Sequence, residues 1–218
     1  IVPLRPSVTF SNTKVTVPRK GDKKKLILLS ERNAKHVQLL KIRQGQSGQI
    51  SVNAKRILTQ TMVDFQLPVL PHHIECFDNS NIQGAFPVAA CIVFKNGLPS
   101  KDDYRIFNIR SVTGPDDFGS MREVLQRRYQ RMLKEKQSLP QLVVIDGGKG
   151  QLSSAIEIFD SLGLSEKIKL VALAKRMEEF FVPGKDEAVL PDKNSETLKL
   201  IQRIRDEAHR FGIKHHRN

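Results

Sequence analysis

Four apolar residues lead into an aspartate in Leu142-Val143-Val144-Ile145-Asp146, and the chain then runs into Gly147-Gly148-Lys149-Gly150-Gln151. A short apolar run closed by glycines reads as a buried strand. It sets a carboxylate at the rim of a sheet, and the glycines turn the backbone tightly into a helix predicted over Leu152 to Leu162. The carboxyl ends of strands are where open α/β sheets place their ligands. A second aspartate, Asp78, has the matching setting at the end of Ile74-Glu75-Cys76-Phe77-Asp78.

The rest of the chain supplies the frame for those two strands. Residues 1–20 are extended in character, a helix is predicted from Lys23 to about Leu40, and residues 44–52 break it. A second helix covers about 53–66. Further strands are predicted at Val88–Phe94, Tyr104–Ile109 and Lys169–Leu173, with Asn96-Gly97 as a hairpin turn. Thr113-Gly114-Pro115-Asp116 opens a helix to about Lys136, in which Phe118, Met121, Leu125 and Met132 fall close to one face. Glu179–Val182 and Ala188–Leu190 form a candidate hairpin around Pro183-Gly184, and a last helix spans about Ser195 to Phe211. Three strands, helix, strand, helix, strand, helix is the element order of an RNase H-like α/β domain. The expected architecture is a mixed five-stranded sheet flanked by helices over residues 72–218, preceded by a basic connecting appendage over 1–71.

Charge divides the chain in the same place. The net charge of +13 predicts an anionic partner, most simply nucleic acid. Residues 1–70 hold 13 Lys/Arg against 3 Asp/Glu, which leaves 23 against 20 for the remainder. A solvated face carrying Lys23, Lys24 and Lys25 does not account for such an excess. The absence of tryptophan and the presence of only two tyrosines leave few platforms for stacking bases, so binding is expected to act through phosphates. No apolar run approaches the roughly 18 residues of a membrane span. The two cysteines, Cys76 and Cys91, lie in apolar strands and make neither a disulfide framework nor a zinc site, in keeping with a cytoplasmic setting. The first residue is Ile1 rather than Met, as in a piece of a longer chain.

Each chemistry-bearing position has a plainer reading beside the functional one. Asp78 can cap the turn at Asn79-Ser80-Asn81, and Asp146 can cap the following helix. The pair says more than either residue alone. The two strands are neighbours in an RNase H-like sheet, and adjacent carboxylates are costly unless a cation lies between them. On the last helix, Leu200, Ile201, Ile204, Ala208 and Phe211 form the apolar stripe, while Gln202, Asp206 and His209 fall on another side, as an ordinary solvated face would. Gly147-Gly148-Lys149-Gly150 fails the phosphate-loop pattern, because Lys149 is followed by Gly150 rather than Ser or Thr. A helix N-terminus there can still hold a phosphate.

Several motifs together resemble a known family. Phe77-Asp78-Asn79-Ser80-Asn81-Ile82-Gln83-Gly84, Thr113-Gly114-Pro115-Asp116-Asp117-Phe118, Met121-Arg122-Glu123-Val124, Ile145-Asp146-Gly147-Gly148-Lys149-Gly150-Gln151-Leu152, Leu173-Ala174-Lys175-Arg176 and Gln202-Arg203-Ile204-Arg205-Asp206-Glu207-Ala208-His209-Arg210-Phe211 are similar to the C-terminal endonuclease half of the UvrC family of bacterial nucleotide excision repair. The similarity covers about 74–217. It implies a DNA endonuclease that cuts 5′ to a lesion with Mg²⁺ or Mn²⁺, acting on damaged double-stranded DNA presented by a UvrB–DNA complex after UvrA loading. The family's Asp-Asp-His set lands on Asp78, Asp146 and His209. Its further acidic position lands on Asp117, with Asp116 as the alternative. The family's first nuclease domain, UvrB-binding motif and tandem helix-hairpin-helix region have no counterpart here.

From these readings Asp78, Asp146 and His209 are the expected metal ligands. His209 is a ligand or a general base, and Lys149, Arg122 and Arg205 are candidates for DNA phosphates. The rivals are an inactive nucleic-acid-binding module of the same fold, a nucleotide-binding domain built on Gly147–Gly150, and an RNA-directed RNase H.

Overall fold

The computed structural model describes residues 17–45, 50–80, 88–110, 116–174, 179–185, 187–189, 192 and 194–216. Residues 1–16 of the start read as extended, together with Asn81 to Gly84, Thr113 to Pro115, Lys175-Arg176 and Leu190, lie outside the described residues. The chain divides into two compact units, Ile1–Ile50 and Ser51–Asn218. The first holds helix α1 (Asp22–Gly45), which starts after Gly21 in the left-handed region at φ 76°. Lys25 Nζ lies 3.1 Å from Asp22 Oδ1 in its first turn.

The second unit contains the sheet. Its elements are α2 (Val52–Asp64), β1 (His73–Ser80), β2 (Val88–Lys95), β3 (Leu98–Pro99), a 3₁₀ turn (Lys101–Asp103), β4 (Arg105–Asn108), α3 (Asp117–Lys134), β5 (Leu142–Asp146), α4 (Lys149–Ser161), β6 (Lys169–Ala174), β7 (Glu179–Phe181) and α5 (Glu196–His216). Strand order is β3-β2-β1-β5-β6-β7, with β4 also on β2. β1–β5 and β5–β6 are parallel, and the other pairs are antiparallel. The five expected strands are present in the RNase H-like order, but the sheet has seven. β3 pairs with Phe94 and Lys95, and β4 with Val88 to Cys91, so both lie end to end along one edge of β2. Asn96 and Gly97, with φ of 53° and 76°, make the tight turn from β2 to β3. β7 adds an antiparallel edge on β6, and Phe180 pairs onward with Val189 across the expected Pro183-Gly184 turn.

Two apolar cores cover the two faces. On one face, Ile74, Cys76, Ile92, Phe94, Leu142 and Val144 pack against Ile201, Ile204 and Ala208 of α5. Leu58, Phe65 and Leu67 belong to the same core, so residues 51–71, which read from sequence as the end of the appendage, contribute to it. On the other face, Phe77, Val143, Ile145 and Ala172 meet Met121, Leu125 and Tyr129 of α3 and Ala155 and Phe159 of α4. Phe118 does not join them: it is 47% exposed, whereas Met121, Leu125 and Met132 are buried. It is the second residue of α3, and its ring lies against the Gly150 backbone instead. Among the described residues no helix is long and apolar enough to cross a membrane.

One charged group sits inside the α3-facing core. Glu75 is fully buried and is held by Arg128 (Nη2 to Oε1, 2.5 Å), Tyr129 (Oη to Oε2, 3.0 Å) and His73 (Nε2 to Oε1, 3.2 Å). Burial pushes its carboxyl up, but the hydrogen bonds from His73 and Arg128 and the Arg128 charge outweigh this and leave it below its ordinary value of 4.5. A carboxyl that titrates lower folded than unfolded contributes stability fully above the unfolded value and loses it as pH falls through the folded one. Glu75→Gln is therefore expected to cost about 3–5 kcal/mol at neutral pH, because it strands Arg128. Urea melts from pH 7 to 3 should show the deficit shrinking below about pH 4.5. An equal deficit at every pH would show that Glu75 does not act through its charge.

Candidate active site

Strand register brings the two aspartates together. Phe77 pairs with Ile145 in the parallel β1–β5 ladder, so Asp78 and Asp146 are one step further along adjacent strands. Neighbouring strands run roughly 4.8 Å apart, and residues at the same register point to the same face. That face is the one carrying Cys76 and Val144, beneath α5. Asp78 is 1% exposed and Asp146 5%. Burial first, then the charges of Asp146 and Asp78, push the Cys76 thiol well above its ordinary value.

Helix α5 delivers the third group. Ile201, Ile204 and Ala208 are buried on the sheet, and His209 follows Ala208 by one residue, about 100° around the helix. Its Nδ1 comes 3.4 Å from Asp78 Oδ2, while its side chain stays 55% exposed against 2% for Asp78. His209 thus stays solvated, as helix pattern suggested, while its ring approaches Asp78 from the solvent side. Tyr104 holds this part of α5 from both sides of His209. Its hydroxyl donates to Glu207 Oε1 at 3.1 Å, and its ring meets Phe211 edge-on at 5.1 Å. Arg203 donates to the Gly97 carbonyl and lies over the Phe94 ring, fixing the helix one turn earlier.

The glycines after Asp146 serve close approach. The Gly147 N–H continues the ladder to the Leu173 carbonyl at 3.2 Å. Gln151 folds back so that its Oε1 accepts from the Gly148 N–H at 2.8 Å. A Cβ at Gly147 would stand 2.2 Å from that Oε1, and one at Gly150 would stand 2.7 Å from the Phe118 ring. Lys149 is exposed at the first position of α4.

The remaining candidates are more dispersed. Asp116 is the N-cap of α3, with Oδ1 accepting from the Gly119 N–H at 2.8 Å. Asp117 is exposed, and its carbonyl accepts from Asn79 Nδ2 at 2.9 Å, which ties the start of α3 to the residue after Asp78. Arg205 reaches Asp206 Oδ1 at 2.9 Å, and its charge is felt at Cys76 beneath the carboxylates. Arg122 lies between α3 and α4, 3.1 Å from Ser154 Oγ. Among the described residues no three His, Cys, Asp or Glu side chains converge at metal-binding distance. Sequence reading missed Tyr104 and Phe118; the sole signal for Tyr104 was its rarity.

Residues 62–213 match the family model for the UvrC RNAse H endonuclease domain. The chain is 56% identical to the UvrABC system protein C of Flavobacterium johnsoniae over 95% of its own length and 35% of the relative's. It is 56% identical to that of Flavobacterium psychrophilum over 100% and 36%, and 51% identical to that of Porphyromonas gingivalis over 96% and 35%. The chain thus spans about a third of the length of these relatives. Among solved structures it is similar to Ciona intestinalis Endonuclease V (D234N) in complex with a 23mer DNA, at TM-score 0.37 and 13% identity over 68% of this chain and 65% of that one. Human ENDOV matches at TM-score 0.34 and 16% identity over 58% and 60%. Through the family match and these identities, the chain belongs to the UvrC RNase H endonuclease domain family.

Proposed function

We propose that this chain hydrolyses one phosphodiester of damaged double-stranded DNA, 5′ to the lesion, as the nuclease part of a bacterial excision-repair enzyme. The observation that carries this reading is the buried carboxylate pair Asp78 and Asp146 on adjacent parallel strands, with the His209 imidazole 3.4 Å from Asp78. The name shared by the relatives, UvrABC system protein C, supports a substrate presented as a UvrB–DNA complex after UvrA loading, in the cytoplasm.

The donor set fits a hard divalent cation, Mg²⁺ or Mn²⁺: carboxylate oxygens from two neighbouring strands and one imidazole. Asp78, Asp146 and His209 are the residues that would hold it. When bound, such an ion supplies charge neutralisation and water activation at the phosphodiester. The chain's own contribution is placement. β1 and β5 fix the two carboxylates without loop freedom, and α5 sets the imidazole at their solvent side. In the alternative to ligation, His209, the member of the set within reach of water, takes a proton from the attacking water or returns one to the leaving 3′ oxygen. Asp117, tied to the end of β1 through Asn79, adds a further carboxylate at the same edge. Lys149 and Arg205 would meet the phosphates of a strand crossing that edge. Arg122 would do so from between α3 and α4.

Nicking of supercoiled plasmid and of a pre-nicked lesion duplex with Mg²⁺ or Mn²⁺ tests the assignment. Asp146→Asn is expected to abolish cutting at unchanged DNA affinity, and His209→Ala to lower kcat by about 10²–10⁴-fold. Wild-type cutting by Asp146→Asn would refute the site. If the wild type fails to cut even with the repair partners supplied, a binding module of the same fold takes its place.

The basic N-terminal segment makes a separate prediction. Neutralised phosphates release counterions, so log K falls with log salt by about 0.9 per contact. Changing Lys23, Lys24 and Lys25 together to alanine should flatten that slope by up to about 3, read by fluorescence anisotropy across a salt series. An unchanged slope would remove α1 from the DNA path.

A further inference from the structure

Phe118 is the only exposed phenylalanine or tyrosine among the described residues. It does not complete the α3-facing core, yet its position is tightly specified. The carbonyl of the preceding Asp117 accepts from Asn79, the residue after Asp78. Its ring lies against the Gly150 backbone so closely that a Cβ there would sit 2.7 Å from Cε1 and 2.9 Å from Cζ. Gly150 is four residues beyond Asp146, a stretch that spans at most about 14 Å even when fully extended. The ring is therefore tethered to the ends of both carboxylate-bearing strands. It stands at the same sheet edge as Asp78 and Asp146, on the opposite face from His209. A buried packing role would not leave 47% of the side chain in solvent. A half-exposed ring beside the exposed Lys149, on a chain of net charge +13, has the composition of a nucleic-acid stacking platform.

We infer that Phe118 stacks on a nucleobase next to the phosphate held at Asp78 and Asp146, and so sets which phosphate enters the site. The inference rests on the nuclease reading for the identity of that phosphate. Stacking itself requires only that the chain bind DNA. A strand crossing the sheet edge would present its phosphate to the α5 side and its base to the α3 side. Stacking is sequence-tolerant because every base offers a π-face, which suits an enzyme that does not read sequence.

The chain contains no tryptophan, so Phe118→Trp installs a single fluorophore at this position. In an Asp146→Asn background, titration with a nicked duplex oligonucleotide should quench its emission. Moving one abasic residue stepwise through the strand should restore emission at a single position beside the nick. Separately, Phe118→Leu keeps an apolar group against Gly150 and removes the π-face. It should raise the KM for nicking by about 5- to 150-fold with a smaller change in kcat and an unchanged melting temperature. Phe118→Trp without the Asp146 change should restore KM. Quenching that is absent, or indifferent to every abasic position while anisotropy reports bound DNA, would overturn the inference. So would a Phe118→Leu chain that melts earlier yet binds and cuts as the wild type does. Position-dependent quenching in a chain that never cuts would uphold stacking and sink only the nuclease reading.

Discussion

The parallel pairing of β1 with β5 is the constraint on which the site depends. A parallel pair allows no side-chain freedom in where its two carboxyl ends meet: once Phe77 pairs with Ile145, Asp78 and Asp146 follow on one face. A slip of one residue would turn one aspartate to the opposite face of the sheet. The register is held by burial on both sides. All five residues of β5 are buried, and β1 alternates between two separate cores. Stability and site geometry are therefore determined by the same residues.

The two faces of β1 treat carboxylates in opposite ways. Glu75, facing α3, is surrounded by Arg128, Tyr129 and His73, and its charge is answered within the fold. Asp78, on the other face, has the His209 imidazole at 3.4 Å. The contrast separates structure from chemistry. A fully answered carboxylate rigidifies the core and has little capacity left for a ligand. A carboxylate pair side by side at the ends of two strands, with a half-exposed histidine beside it, is the arrangement on which the proposed cation site rests.

Much of this was legible because the informative signals are local. Leu142–Ile145 followed by Asp146 and two glycines specifies a strand, its carboxylate and the turn after it without reference to the rest of the chain. Asn96-Gly97 specifies its hairpin in the same way. What stayed hidden depends on tertiary neighbours. Periodicity placed Phe118 with Met121 and Leu125, because a helical pattern cannot show that its ring lies against Gly150 of the following helix. Glu75 is one polar residue in an apolar strand, and two of its partners, Arg128 and Tyr129, lie 53 and 54 residues away. β3 is two residues long, below what any alternation can reveal. His209 sat off the apolar stripe by pattern, and its approach to Asp78 depends on the packing of α5 on the sheet.

That the third group comes from α5 ties site assembly to the docking of the last helix. Asp78 and Asp146 are set by the sheet alone, but His209 arrives only when Ile201, Ile204 and Ala208 are seated on it. Packed helices shift in discrete steps, and a one-turn displacement would move the imidazole about 5.4 Å, out of reach of Asp78. Tyr104 opposes such a step by gripping residues 207 and 211, on either side of His209. Arg203 does so by anchoring to the β2–β3 turn. The Asn96-Gly97 hairpin, far from the carboxylates in sequence, is thereby part of what holds the histidine in place. The half of the site that is most exposed is the half with the most clamps.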